Sequence, residues 1–503
     1  MTSDLQNLVP QRSKRIGTRV FPHDARRFSL LVERLLQKTE LEEEDLSYRT
    51  ACRSEYARRS SGSYYTPVDV AGFFWDQHFH ALGIKGVNTA KNLLKKHTFV
   101  EPSAGSGILI LALFRKLAEI GVGPDVISSI DLRCRDTDPH SLAYISTHVN
   151  ELETATGLSF GGIKLEQGDF RGFLALPDDK PYIFFGNPPF VSNLNGSSPW
   201  KNLFADFLDV SMGLVGTSGS IQYILPLAIS FGRDYVDLRR RLRSQSYDLF
   251  ASHFDNIPDT LFKSGKPNNS NSNKANSQRC TILTVISRGS GKLFSSMLHR
   301  WSVSDRRRLL SSIPTFYDVS DYHANAQILR PGSRNIAHYL MTETPINRFS
   351  SLVAQDGKYR LYVAGVARNY IGIRSSPGSG IHTLSFSDEQ KLCKALLLLG
   401  SDVFLEYWRA VGDGFHVTKS NIHDFPISEK LDEEAEKLVP IVKRIWKDRE
   451  RFKKVKRNSG KQTSSFDFSS ALPSLLPLIH YRRDQRTRGV VDESEGATDW
   501  RDR

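Results

Sequence analysis

From residue 61 to about 288, short apolar runs alternate with amphipathic stretches, and this alternation limits the fold more than any other feature. "HTFVEPSAGSG" reads as strand then turn, and "ILILALFRKLAEIG" as a helix closed by Gly121. "VISSIDLRCRDTDP" repeats the strand and turn, and "HSLAYISTHVNELE" repeats the helix. "PYIFFGNPPF", "GSIQYILP" and "RCTILTVIS" supply later strands. Strands joined by helical crossovers pair in parallel. The pattern therefore predicts an α/β fold on a doubly wound, mainly parallel sheet.

The flanks read differently. A chain of 503 residues exceeds one ordinary core. Residues 1–60 suggest helices, notably "FSLLVERLLQKTELEEEDL", with apolar residues at helical spacing. The α/β region is expected over 61–290 and a mixed α+β domain over 291–430, with strand candidates "YRLYVAGV" and "NYIGIR". A basic helical region and tail fill 431–503; its helix is expected over 429–457, with fraying from 485. The polar stretch "KSGKPNNSNSNKANSQ" (263–278) reads as a mobile loop. No internal repeat is visible.

Charge bears on partners. The net charge is +13, and the basic runs "RDYVDLRRRLR" (233–243), "DRRRLL" (305–310) and "KRIWKDRERFKKVKR" (443–457) share its sign. Each run alone suits a solvated helix face; together they favour a polyanion such as nucleic acid. No apolar run approaches the ~18–20 residues a membrane helix needs. The opening "MTSDLQNLVPQRSKR" has no apolar core for a secretory signal. Cys52, Cys134, Cys280 and Cys393 lie far apart without CxxC spacing, which argues for reduced thiols in the cytoplasm and against a metal cluster.

The loop "EPSAGSG" places small residues between a strand and a helix. Glycine there lets a ligand approach the backbone, and the helix start offers free N–H groups. It is not the dinucleotide GxGxxG, because Leu109-Ile110 stand where a third glycine would. Nor is "RGSGK" (288–292) a Walker loop, since Ile286 replaces its first glycine. Asp136 ends the next strand, where an acid can accept from two ribose hydroxyls. The neighbouring Asp138-Pro139 suits a helix cap. Asp169, after a further strand, could accept from an adenine amino group, with Phe170 on the adenine face.

"FFGNPPFV" (184–191) then carries chemistry. Prolines cannot continue a ladder, so the chain leaves its strand in a stiff extended turn. An exocyclic aromatic amine is a poor nucleophile, because its lone pair is delocalised into the ring. Two acceptors on its N–H bonds would localise that pair. The Asn187 side-chain oxygen and the Pro188 carbonyl suit this, with Pro189 stiffening the turn and Phe190 stacking on the base.

With these motifs in this order, residues 61–290 resemble the gamma-order N6-adenine DNA methyltransferases of restriction–modification systems. The resemblance implies a Rossmann-like methyltransferase sheet that uses S-adenosyl-L-methionine. From "SGSYYTPVDVAGFFWD" (61–76) it assigns Tyr65, Thr66 and Pro67 to the cofactor, and from "EPSAGSG" it assigns Glu101, Ser103, Gly105 and Gly107. Asp136 matches the ribose acid, with Asp131 as a second candidate, and Asp169-Phe170 match the adenine pair. Asn187, Pro188, Pro189 and Phe190 match the catalytic tetrad. "DTLFKSGK" (259–266) resembles the segment giving a second aromatic to the flipped base, here Phe262.

The resemblance implies methyl transfer to a flipped adenine in double-stranded DNA, with target recognition in 291–430. A restriction endonuclease or specificity subunit would lie on a separate chain, because neither a nuclease PD…(D/E)xK stretch nor a helicase loop is evident. RNA or protein-glutamine methylation, or a DNA-binding specificity subunit without catalysis, are the alternatives.

Overall fold

The computed structural model describes residues 24–53, 66–172, 180–193, 198–244, 246–262, 278–367, 369–458, 461–473 and 475–476. Tyr65, the loop over 263–277 and the tail from 485 lie outside them. Two compact units emerge, the first ending at Gly186 and the second beginning at Asn187.

Among the described residues the first unit holds four parallel strands: β1 (Thr98–Glu101), β2 (Leu132–Asp136), β3 (Ile163–Gln167) and β4 (Tyr182–Gly186), in the order β3-β2-β1-β4. Sequence pattern explains the order. "TFVE" and "YIFFG" are buried along their whole length, as strands covered on both faces must be, whereas "IKLEQ" is the partly exposed edge. Among the described residues the accompanying helices are α1 (Ala25–Arg53), α2 (Val68–Leu82), α3 (Val87–Lys96), α4 (Ile108–Glu119) and α5 (Pro139–Thr156), with a single helical turn at Pro124–Ile127.

Helix α1 buries Phe28, Leu31, Val32, Leu35 and Leu36, one stripe at helical spacing. Its Glu33 pairs with Arg115 of α4 at 2.7 Å, and α1 is part of the first unit. The apolar face of α4 is covered in turn by α2, whose Trp75 indole donates to the Leu109 carbonyl at 2.8 Å.

In the second unit, β5 (Ser220–Pro226), β6 (Asp248–Phe254), β7 (Cys280–Ile286), β8 (Leu293–His299) and β9 (Tyr317–Asp318) lie in the order β5-β7-β6-β8-β9. Strand β7, the expected closing strand, runs antiparallel between β5 and β6, while β6 and β8 are parallel. The expected α/β architecture is what the chain has. Further on, a five-stranded antiparallel sheet forms in the order β13-β11-β12-β16-β15. Its members are β11 (Tyr359–Ala364), β12 (Ile373–Arg374), β13 (Ile381–Phe386), β15 (Lys453–Asn458) and β16 (Lys461–Phe466). A small pair, β10 (Pro345–Arg348) with β14 (Pro426–Ser428), lies apart.

The expectation of a helix over 429–457 is corrected. The helix Glu429–Lys447 stops at Asp448, and 453–458 pairs with β16 instead. The apolar stripe of the helix, including Val439 and Val442, has no continuation in "KDRERFKK". A distant partner strand then decides the conformation against local propensity.

Candidate functional site

Parallel strands end on one edge, so the acids closing them collect there. Glu101 is the last residue of β1, Asp136 the last of β2, and Asp169 follows β3 by two residues. Gly186 closes β4, and Asn187 is the next residue in the chain.

Between β1 and α4 the chain turns through Gly105 (φ +53°) and Gly107 (φ +83°), both in the left-handed region that side chains disfavour. A Cβ on Gly107 would also come within 3.0 Å of Ile145, whereas at Gly105 nothing lies within 4 Å. Gly105 therefore presents bare backbone. Its N–H donates to Asp136 Oδ2 at 2.9 Å, and Asp136 Oδ1 accepts from the Asp138 N–H at 2.9 Å. Both oxygens keep further acceptor capacity. Burial raises the Asp136 carboxyl above its ordinary range against the pull of these bonds. Asp138 caps α5 through the His140 N–H, as the Asp-Pro reading expected.

Glu101 is buried and its carboxyl is raised well above the usual range, first by desolvation and then by the nearby Asp136 charge. Its Oε2 has no hydrogen-bond partner among the described residues. Such an acceptor costs about 1–3 kcal/mol unless a donor arrives. The edge thus offers bare glycine backbone, a half-engaged Asp136 and an orphaned acceptor, which fits a ligand rich in N–H and O–H donors such as S-adenosylmethionine.

Asp131 is elsewhere. It precedes β2, takes a hydrogen bond from Thr98 Oγ1 at 2.9 Å and lies 3.4 Å from Arg133 Nε. A five-residue strand puts about 16 Å between it and Asp136. It ties strand beginnings together.

The remaining cofactor candidates are placed unevenly. Asp169 is exposed, and Arg171 Nε bonds both its oxygens at 3.0 Å, which lowers its carboxyl. Phe170 is buried edge-on against Phe184 of β4, ring centroids 5.8 Å apart, so its ring forms a wall rather than an open face. Thr66 is buried, Ser103 is half-buried, and Pro67 precedes α2 as its cap residue. Glu40 of α1 accepts from the Val68 N–H at 3.1 Å and so fixes the Thr66-Pro67 entrance to α2. No motif marks Glu40 in the sequence.

The second unit carries the turn "NPPF". Pro188 is buried, while Asn187, Pro189 and Phe190 are half-buried. The Phe190 ring meets Phe262 at 6.0 Å and 68°, and Phe204 of α6 (Leu203–Leu214) at 6.5 Å and 79°. Both are edge-to-face contacts. The structure thus brings Phe190 and Phe262 together, although 72 residues separate them. Asp206 closes the chain after the turn: buried, it accepts from Asn193 Nδ2 at 2.6 Å and from Ser198 Oγ. Sequence reasoning missed it, since "FADFLD" looks like any helix face.

The arginines of the basic run 233–243 divide: Arg233, Arg240 and Arg241 are exposed, Arg243 is half-buried and Arg239 is buried. Arg239 is buried and donates to the carbonyls of Ala326, Ile229, Gly232 and Asn325 at 2.8–3.2 Å. Arg243 donates to the Tyr322 and Ser320 carbonyls, and Arg241 pairs with Asp209. Among the described residues there is no cluster able to hold a metal and no helix long and apolar enough to cross a membrane.

No protein-family model and no curated protein matches this chain. Several solved structures resemble it in part. A modification subunit of a putative type I restriction enzyme from Vibrio vulnificus is 12% identical, with 59% of this chain and 63% of that one covered and a TM-score of 0.40. The type IIG restriction endonuclease BpuSI is 14% identical, covering 80% and 63%, with a TM-score of 0.40. A DrdV–DNA complex is 13% identical, covering 63% and 36%, with a TM-score of 0.41. The chain spans less than two thirds of the length of each of these. At that level the likeness decides nothing about activity.

Proposed function

We propose that the chain is an S-adenosylmethionine-dependent DNA methyltransferase acting on adenine N6, the modification component of a restriction–modification system. The observation that carries this reading is the acid-tipped edge, where the Gly105 N–H bonds Asp136 beside an orphaned Glu101 acceptor, followed along the chain by "NPPF".

Gly105, Gly107, Glu101 and Asp136 would hold the cofactor, with Thr66, Pro67 and Ser103 beside them and Asp169 reaching it past Arg171. When bound, the cofactor supplies a methyl carbon whose bond to sulfur breaks as the bond to N6 forms, the electron pair staying on sulfur. The protein's work is positioning and electrostatics. Asn187 Oδ1 and the Pro188 carbonyl accept the two N6–H bonds and localise the nitrogen lone pair, and the departing N6 proton passes to water. Proline rigidity aims both acceptors before the base arrives, so no reorganisation is needed at the moment of transfer. Phe190 and Phe262 receive the adenine, whose extrusion from the duplex costs a few kcal/mol.

Incubating the full chain with methyl-labelled cofactor and, in parallel, duplex DNA, RNA and protein tests this directly. Label recovered as N6-methyladenine in duplex DNA supports it. Label confined to RNA or glutamine, or none at all, overturns it.

A further inference from the structure

The basic stretch "DRRRLL" reads in sequence as a phosphate-binding run, yet its first arginine faces inward. Arg306 is largely buried. Its Nη1 donates to the Thr260 carbonyl at 2.7 Å and its Nη2 to the Leu261 carbonyl at 2.8 Å. Its guanidinium lies 3.6 Å from the Asp259 carboxylate. Trp301 holds the same turn from another side: its indole donates to Asp259 Oδ2 at 3.1 Å, and its carbonyl accepts from the Asp259 N–H at 3.1 Å. The next residue after this doubly held turn is Phe262, buried edge-on against Phe190.

We propose that Arg306 is a positioning residue: it clamps the turn 259–261 so that Phe262 and Phe190 form a fixed aromatic cradle for the extruded base. This rests on the methyltransferase reading above. A planar fork suits the task, because two successive carbonyls and a carboxylate present three acceptors to one group. An ammonium in its place keeps the charge and loses the geometry. Arg306 touches no substrate; it acts through Phe262.

The test uses the full-length chain with Arg306→Gln, Arg306→Lys and Phe262→Leu. Hydrogen exchange over 255–262 reads the clamp without any substrate. Duplexes carrying 2-aminopurine at the target read base extrusion, and single turnovers read transfer. Arg306→Gln should speed exchange at the turn by about ten- to hundredfold, the loss of one to two charge-assisted bonds. It should lower the extrusion signal and the transfer rate together, with cofactor affinity unchanged. Arg306→Lys should fall between this variant and the wild type. Phe262→Leu should lower extrusion while leaving exchange at Asp259 as it was.

Wild-type exchange in both arginine variants overturns the clamp. Faster exchange with full extrusion and transfer overturns the positioning role, as does full extrusion in Phe262→Leu. A wild-type chain that methylates no duplex DNA overturns the methyltransferase reading instead, and the exchange rates then judge the clamp by themselves.

Discussion

The Gly105 N–H donates to Asp136 Oδ2 at 2.9 Å, so the acid that ends one strand holds the glycine loop that leaves its neighbour. The loop owes its left-handed turns to glycine and its position to a carboxylate 31 residues away. A ligand using Asp136 therefore meets a group already oriented from behind.

Removing that carboxylate should damage binding twice, through the lost ligand bond and through the loosened loop. Asp136→Ala is expected to weaken S-adenosylmethionine by about 1.5–3 kcal/mol, the range for a charge-assisted bond. Asp136→Asn keeps an acceptor for Gly105 and should lose less. Asp131→Ala is the control: it should lower thermal stability, because Asp131 bonds Thr98, and leave affinity alone. Calorimetry giving the Ala variant at 136 wild-type affinity would remove the ribose role.

Glu101 makes the ligand-free protein depend on pH. Its folded carboxyl is raised well above the usual range by burial and by Asp136. The folded state then binds a proton that the unfolded state has released. This contribution to stability is fully present below the ordinary carboxylate range and is lost as pH rises through the elevated folded value. Glu101→Gln should thus raise the Tm of the cofactor-free chain at pH 8 relative to wild type and flatten its decline from pH 5 to 8. The same variant should bind cofactor more weakly, because a neutral amide replaces a carboxylate acceptor. An unchanged pH profile in thermal melts would show that Glu101 is ionised and compensated.

Both acids were legible because they end apolar runs that a parallel sheet buries on both faces, and "NPPF" was legible because proline fixes where a strand must stop. What the sequence hid depends on partners far along the chain. Strand β7 looks in sequence like any other apolar run, and only its register with β5 and β6 sets its direction. Lys453–Asn458 becomes a strand because β16 is there to pair with it. Arginines carry no sign of whether they face water or backbone carbonyls. Arg239 and Arg306 lie in runs that looked like phosphate contacts, and both are bonded to carbonyls inside the second unit. The edge-on packing of Phe170 against Phe184 likewise joins residues that no motif connects.

Arg239 gives that distinction a measurable form. It is buried with its donors on four carbonyls, and desolvation pulls its guanidinium down to about 10. Arg239→Ala leaves those acceptors unmet and should destabilise the fold by about 3 kcal/mol or more. Arg240, exposed beside Asp237, should tolerate alanine within about 0.5 kcal/mol. Denaturant titration separates the two. If the run held phosphates instead, both substitutions would reduce the salt slope of DNA binding by about one each, with stability unchanged.

Asn187 and Phe190 sit three residues apart on one stiff turn, yet the proposed chemistry gives them separable tasks. The Asn187 hydrogen bond matters most as the N6 lone pair becomes localised, so it acts while the methyl moves. Asn187→Ala should cut the single-turnover rate severely and leave DNA and cofactor affinity nearly intact. Phe190 meets the base earlier, during extrusion, where aromatic stacking contributes roughly 1–3 kcal/mol. Phe190→Ala should therefore diminish the fluorescence rise of 2-aminopurine at the target as well as slow transfer. Its edge contacts with Phe204 and Phe262 leave a six-membered ring as the fitting shape, so Phe190→Tyr should retain most activity. Asn187→Ala should keep the full fluorescence rise, because extrusion precedes its bond. If both alanine variants methylate at the wild-type rate, the tetrad is a structural turn and the chemistry lies elsewhere.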